Sequence, residues 1–289
     1  MRLVVHPHLS ELLTHKAFPL VFLLVISATL GLSCKKQNDE EAPDKVASDA
    51  LSIQLINSFP HDDAAFTQGL VFHKGYLYES TGLYGSSSLR RIEKDSGAVL
   101  DKFDLDSSLF GEGLAVVDDR FYQLTWKKGQ ALVYERSEQG GFSSVQTFTY
   151  DGEGWGLTYD GTHLILSDGS DQLRFYEPST FSLKKSIAVQ RNSQPVFNIN
   201  ELEFMNGYVF ANVWQTDEIV AIDPANGQVV DSVTVPVQEF LAESYRKITP
   251  WRDVLNGIAY DKESGQVFVT GKNWPLIFQV EFRGGIFED

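Results

Sequence analysis

Two charged side chains in this sequence could run acid–base chemistry together, Glu112 and Lys272, and neither sits in a run of like charge. Glu112 stands inside Gly111-Glu-Gly-Leu114, and Lys272 closes Thr270-Gly-Lys272. A carboxylate held out of water can act as base and then as acid, and a cation can steady a developing oxyanion. Three tryptophans stand in or beside short motifs: Trp126 after Leu124-Thr, Trp155 within Gly154-Trp-Gly-Leu157, and Trp214 after Asn212-Val. Three amides, Gln68, Asn200 and Asn256, share the spacing.

The spacing itself is a repeat. Gly69-Leu-Val-Phe72, Gly113-Leu-Ala-Val116, Gly156-Leu-Thr-Tyr159, Glu201-Leu-Glu-Phe204 and Gly257-Ile-Ala-Tyr260 follow one another at intervals of 44, 43, 45 and 56 residues. Each opens an apolar strand. A turn follows, then a second and a third strand, and in four of the units a fourth. Repeats of about 40–45 residues with four strands each are the signature of a β-propeller. The fifth unit ends near Phe282 with three strands, while an unassigned strand, Ser52–Phe59, precedes the first. The expected fold is therefore all-β: a five-bladed propeller over residues 52–289, its last blade closed by the N-terminal strand. That closure also removes two exposed sheet edges. The extra length before the fifth unit, residues 238–254, predicts a short helix ending near Pro250.

This frame positions the chemistry. Gln68, Glu112, Trp155, Asn200 and Asn256 each immediately precede an inner strand, so they are expected to ring one mouth of the axis. Thr81, Trp126, Asp168, Trp214 and Lys272 end the second strands and are expected on the same face. Together they predict a concave aromatic site with a few polar groups, the usual form of a small-ligand site. Each residue also has a plainer role open to it: a solvated carboxylate, a surface lysine, core tryptophans, amides that satisfy strand ends.

Composition narrows the classes. The 289 residues are 43% apolar and carry a net charge of −15, which fits a globular chain and offers no basic face for nucleic acid. No His/Cys/Glu cluster has zinc spacing, no glycine loop opens a helix to cradle phosphate, and Ser86-Ser-Ser88 lacks His and Asp partners. No metal and no cofactor is expected. The sole cysteine, Cys34, rules out an intrachain disulfide. It follows the apolar, uncharged run 17–33, which reads as an export signal over residues 1–33. Cys34 directly after Ser33 is similar to a lipoprotein cleavage site, although Gly31 stands where such a site has leucine. Lipidation of Cys34, a flexible tether over 34–51, and an exported protein anchored to a membrane in the periplasm or at the cell surface are the expectations. A closed ring gives no reason to expect more than a monomer.

Phe66-Thr-Gln-Gly-Leu70, Glu79-Ser-Thr-Gly-Leu-Tyr-Gly85, Gly111-Glu-Gly-Leu114, Leu124-Thr-Trp126, Gly154-Trp-Gly-Leu157, Asn200-Glu-Leu202, Asn212-Val-Trp214, Asp253-Val-Leu-Asn-Gly-Ile-Ala259 and Thr270-Gly-Lys272 occur in this order. The set resembles the plant-type glutaminyl-peptide cyclotransferases, which also occur in bacteria. The resemblance runs from about residue 52 to 282. It implies a five-bladed propeller and conversion of an N-terminal glutamine to pyroglutamate with release of ammonia, acting on peptides or proteins. It also implies that Glu112 is the acidic catalytic residue and Lys272 the active-site lysine, with Phe66, Gln68, Trp126, Trp155, Asn200 and Trp214 in the pocket. Glu112 would take a proton from the substrate's α-amine and return it to the leaving nitrogen. Lys272, helped by Gln68 or Asn200, would steady the oxyanion. Two other readings remain open on the sequence: a non-catalytic surface propeller that binds peptides or glycans, and a metal-dependent hydrolase of the lactonase type. Six blades and several axial carboxylates are usual for the latter.

Overall fold

In the computed structural model, residues 50–287 are described, apart from 243, 245 and 246. The export signal and Cys34 lie outside the described residues, as does the tether up to residue 49. Leu51, at the tether's expected end, is buried and belongs to the core.

Five four-stranded antiparallel sheets form the propeller. Blade 1 runs Thr67–His73, Tyr76–Thr81, Ser88–Ile92 and Val99–Asp104 from the axis outward. Blade 2 is Gly111–Val117, Arg120–Thr125, Gln130–Arg136 and Phe142–Thr149. Blade 3 is Leu157–Tyr159, Leu164–Ser167, Gln172–Tyr176 and Leu183–Ala188. Blade 4 is Ile199–Met205, Tyr208–Val213, Glu218–Ile222 and Val229–Thr234. Blade 5 takes Leu255–Asp261, Gln266–Gly271 and Leu276–Arg283 from the end of the chain. Its outer strand is Ser52–Pro60, paired antiparallel to Leu276–Arg283 from Ser52 opposite Arg283 to Pro60 opposite Leu276. The five-bladed architecture and its N-terminal closure are thus as the repeats predict.

Burial explains the strand order. Inner and middle strands are almost wholly buried, and the outer strands are mostly exposed. Apolar side chains from facing sheets interlock between neighbouring blades: Leu124, Val133 and Leu166 in one seam, Leu173, Val209 and Ile222 in the next. Each fully buried side chain of this size contributes about 1.5–3 kcal/mol, so the inter-blade seams hold the ring rigid around its axis.

At the axis the inner strands approach closely. A Cβ on Gly113 would collide with the backbone of Gly156 and Leu157, so glycine is required where these strands meet. Blade 4 carries Glu201 at the equivalent place, and its fully buried carboxyl bonds the inner strands of two other blades. Oε2 accepts the N–H of Ile258 at 2.8 Å and Oε1 that of Leu70 at 3.3 Å, which ties blade 4 to blades 5 and 1.

Between blades 4 and 5 the helix is a single turn, Val237–Phe240, rather than a segment reaching Pro250. This turn follows Pro236 and buries Val237 and Phe240 in the core. Among the described residues no helix is long and apolar enough to cross a membrane.

Candidate active site

The inner strands do not start cleanly. In blades 1, 2, 4 and 5 the pairing to the second strand slips near its first residues, between Thr67 and Gly69, Gly111 and Leu114, Ile199 and Leu202, and Leu255 and Ile258. A β-bulge of this kind bends the strand and re-aims a side chain. Gln68, Glu112, Asn200 and Asn256 all sit in these slips, inside the strands rather than just before them. In blade 3 Trp155 precedes the short strand Leu157–Tyr159, its backbone N–H held by the Ser167 carbonyl at 2.9 Å.

The slips of blades 1, 2 and 4 open onto one cavity of about 470 Å³, lined by Phe66, Gln68, Glu112, Trp126, Trp155, Asn200, Trp214 and Lys272. Phe110, Gln215, Trp251 and Arg252 complete the lining. Its wall is an aromatic arc in two halves. Phe66 meets Phe110 edge-on at 6.2 Å, and Phe110 meets Trp126 at 5.4 Å. Trp155 meets Trp214 at 5.5 Å, again nearly perpendicular. Glu153 joins the halves: its Oε2 accepts the indole N–H of Trp126 at 2.7 Å and of Trp155 at 3.0 Å. Gly169, at φ +80°, has no Cβ because one would strike the Trp155 ring at 2.5 Å.

Glu112 is 4% exposed. Among the described residues its one hydrogen bond comes from Gln68, Nε2 to Oε1 at 3.1 Å. Burial pushes its carboxyl well above the usual range; Lys272 opposes this and Glu153 adds to it. Lys272 is equally enclosed, and burial brings its ammonium down to about 8, against the pull of Glu112. Its Nζ stands 4.9 Å from the centre of the Phe66 ring, a cation–π contact. Glu112 and Lys272 make no direct ion pair, yet each feels the other's charge, which leaves the space between them to a ligand. Asn200 also lines the cavity, and its Oδ1 is buried without a hydrogen-bond partner.

Three expected members are elsewhere. Asn256 is fully buried behind Gln68, donating from Nδ2 to the Thr67 carbonyl at 3.0 Å and to Gln68 Oε1 at 3.4 Å, so it supports the lining rather than forming it. Asp168 is drawn away by an ion pair with Arg174 and by its bonds to Ser170. Thr81 hydrogen-bonds the Ser88 hydroxyl at 2.7 Å inside blade 1. Strand-end position alone cannot separate a side chain facing the mouth from one facing its own blade. Phe110, Glu153 and Gln215 flank motif residues directly in sequence, and Trp251 lies in the long fourth interval; these adjacencies are the only sequence signals they carry. Among the described residues no three His, Cys, Asp or Glu side chains gather as a metal site requires.

Residues 24–282 match the family model described as glutamine cyclotransferase. A glutaminyl-peptide cyclotransferase of Arabidopsis thaliana is 37% identical over 235 residues, 80% of this chain and 71% of its own. The crystal structure of Myxococcus xanthus glutaminyl cyclase is similar at a TM-score of 0.75 and 37% identity, covering 81% of this chain and 98% of that one. With the fold, the order of motifs and the cavity in agreement with these matches, the chain belongs to the glutamine cyclotransferase family.

Proposed function

We propose that this chain is a glutaminyl-peptide cyclotransferase whose reaction is run by Glu112 and Lys272 without a metal. The observation that carries the reading is a buried carboxyl of raised proton affinity facing a buried lysine across an aromatic cavity, at the positions the family motifs pick out.

The chemistry is intramolecular acyl transfer. The substrate's α-nitrogen attacks its own side-chain carbonyl carbon; a bond forms between them, and the bond from that carbon to the side-chain nitrogen breaks. Glu112, as carboxylate, takes a proton from the α-nitrogen, and as acid returns it to the departing nitrogen, which leaves as ammonia. Raised affinity brings its pKa nearer to that of an α-amine, about 8, which narrows the gap across which the first proton moves. The oxyanion between these steps lies within reach of the Lys272 ammonium, and one such donor is typically worth about 10²–10³ in rate. Asn200, in the same lining, carries an amide that can hydrogen-bond the α-amine or the carboxamide. The aromatic arc holds the side chain folded on itself and keeps water out, which suits a ring closure limited by orientation.

Export through residues 1–33, lipidation of Cys34, membrane anchoring and a monomeric state belong to this proposal on the strength of the sequence alone.

The test is mass loss of one ammonia from a glutamine-initiated peptide incubated with the protein and a chelator. An asparagine-initiated control would have to close a four-membered ring and should stay intact. Saturable binding of the glutamine peptide without mass loss would instead establish a non-catalytic propeller.

A further inference from the structure

We infer that Trp251 forms a subsite for the residue that follows the substrate's glutamine, and that this subsite selects an apolar or aromatic side chain. The inference rests on the cyclotransferase reading and names its substrate preference.

Trp251 lines the same cavity as Glu112 and Lys272, yet it is 71% exposed, whereas Trp126, Trp155 and Trp214 are half-buried. An indole left so open at the rim of a site has its apolar face unmatched. The reacting α-nitrogen and side chain must point inward to Glu112 and Lys272. The rest of the peptide leaves through the glutamine carbonyl and passes outward, so the next side chain crosses the rim. The cavity of about 470 Å³ is larger than one glutamine needs and has room for it.

The rim is built rather than loose. Gln215, at φ +68°, donates from Nε2 to the Trp251 carbonyl at 3.0 Å. The N–H groups of Arg252 and Asp253 both bond the Thr249 carbonyl, at 2.9 and 2.8 Å. Asp253 is anchored in turn by Asn273 Nδ2 at 2.8 Å and Trp274 Nε1 at 2.7 Å, while the Lys272 N–H bonds the Val254 carbonyl at 2.9 Å. Trp251 therefore sits on the same scaffold as the lysine, at a fixed offset from the reacting atoms.

Charge decides the class of side chain. Arg252 also lines the rim, but its Nε and Nη2 donate to Asp253 Oδ1 and Oδ2 at 2.6 and 3.0 Å. This two-pronged pair neutralises the guanidinium, so an acidic side chain would have to compete with Asp253. An apolar one has the open indole face at no such cost.

The experiment compares kcat/KM for Gln-Phe, Gln-Ala and Gln-Glu peptide amides in the wild type, Trp251→Ala and Trp251→Phe. The wild type should prefer Gln-Phe. Trp251→Ala should lower the Gln-Phe to Gln-Ala ratio by about two- to tenfold, the worth of one aromatic contact, and Trp251→Phe should restore most of it. Because the readout is a ratio within each variant, loss of folded protein does not enter it. An unchanged ratio in Trp251→Ala, or a wild-type preference for Gln-Glu, overturns the subsite and leaves the cyclotransferase standing. No turnover of any of the three peptides overturns the cyclotransferase and the subsite with it.

Discussion

Gln68 reaches from blade 1 and donates its amide N–H to the Glu112 carboxyl of blade 2, Nε2 to Oε1 at 3.1 Å. A neutral amide holds the carboxyl in place without pulling its proton affinity down as a guanidinium would. Asn256 braces Gln68 from behind, so the orientation of Glu112 depends on three bulged strands in three blades.

Burial that raises the Glu112 pKa also sets a stability cost. A carboxyl whose folded pKa exceeds its unfolded value stabilises the fold below the unfolded pKa, and that contribution is lost as pH rises through the folded pKa. Glutamine in its place stays neutral throughout. Glu112→Gln should therefore melt at or above the wild-type temperature at pH 7–8, with the difference vanishing below pH 4. Thermal melts across this range check it; a marked drop in Tm at pH 7 would mean that the carboxylate is a structural group.

The charges around Glu112 predict opposite movements of the acid limb of the kcat/KM profile. Activity should rise as Glu112 ionises, above the ordinary carboxylate range, and fall as Lys272 loses its proton near pH 8. Lys272 lowers the Glu112 pKa, so Lys272→Met should move the acid limb to higher pH while cutting the rate about 10²-fold or more. Glu153 raises it, so Glu153→Gln should move the same limb to lower pH and loosen the two indoles it bridges. Residual activity followed by ammonia release from pH 4 to 9 gives both signs.

Glu201 predicts a stability effect at a distance from the chemistry. Its two oxygens both accept backbone N–H groups, from Leu70 and Ile258. In Glu201→Gln one of those acceptors becomes an NH₂ group facing a buried N–H. Leaving such a donor unmatched costs about 1–3 kcal/mol, which urea unfolding should register as a lower midpoint with an unchanged slope.

The blades were legible because four of the five inner strands announce themselves with the same Gly-Leu or Gly-Ile step, the fifth with Glu201-Leu202 at the same spacing, and each turn with Asp, Asn or Gly. The missing fourth strand and the orphan strand Ser52–Pro60 then left one closure. The site was legible where a motif residue falls in a slip that opens onto the cavity, as with Gln68, Glu112 and Asn200. Asn256 falls in an equivalent slip and yet faces Gln68, because its neighbours Thr67 and Gln68 offer acceptors the pattern does not encode. Asp168 stands level with Trp126, but Arg174 two strand positions away captures it. Phe110 acquires its role only when blades 1 and 2 meet, Glu153 only when blades 2 and 3 meet, and Trp251 only when Gln215 of blade 4 bonds its carbonyl beside the cavity.

The central claim is that the buried Glu112 carboxyl carries the proton from the α-nitrogen to the leaving nitrogen. Ammonia release from a glutamine-initiated peptide by folded wild type and by folded Glu112→Gln, with chelator present, tests it most directly. The wild type should turn over, and kcat of the variant should fall by about 10²–10⁴ with its Tm at pH 7 undiminished. A Glu112→Gln protein that releases ammonia at the wild-type rate would contradict it.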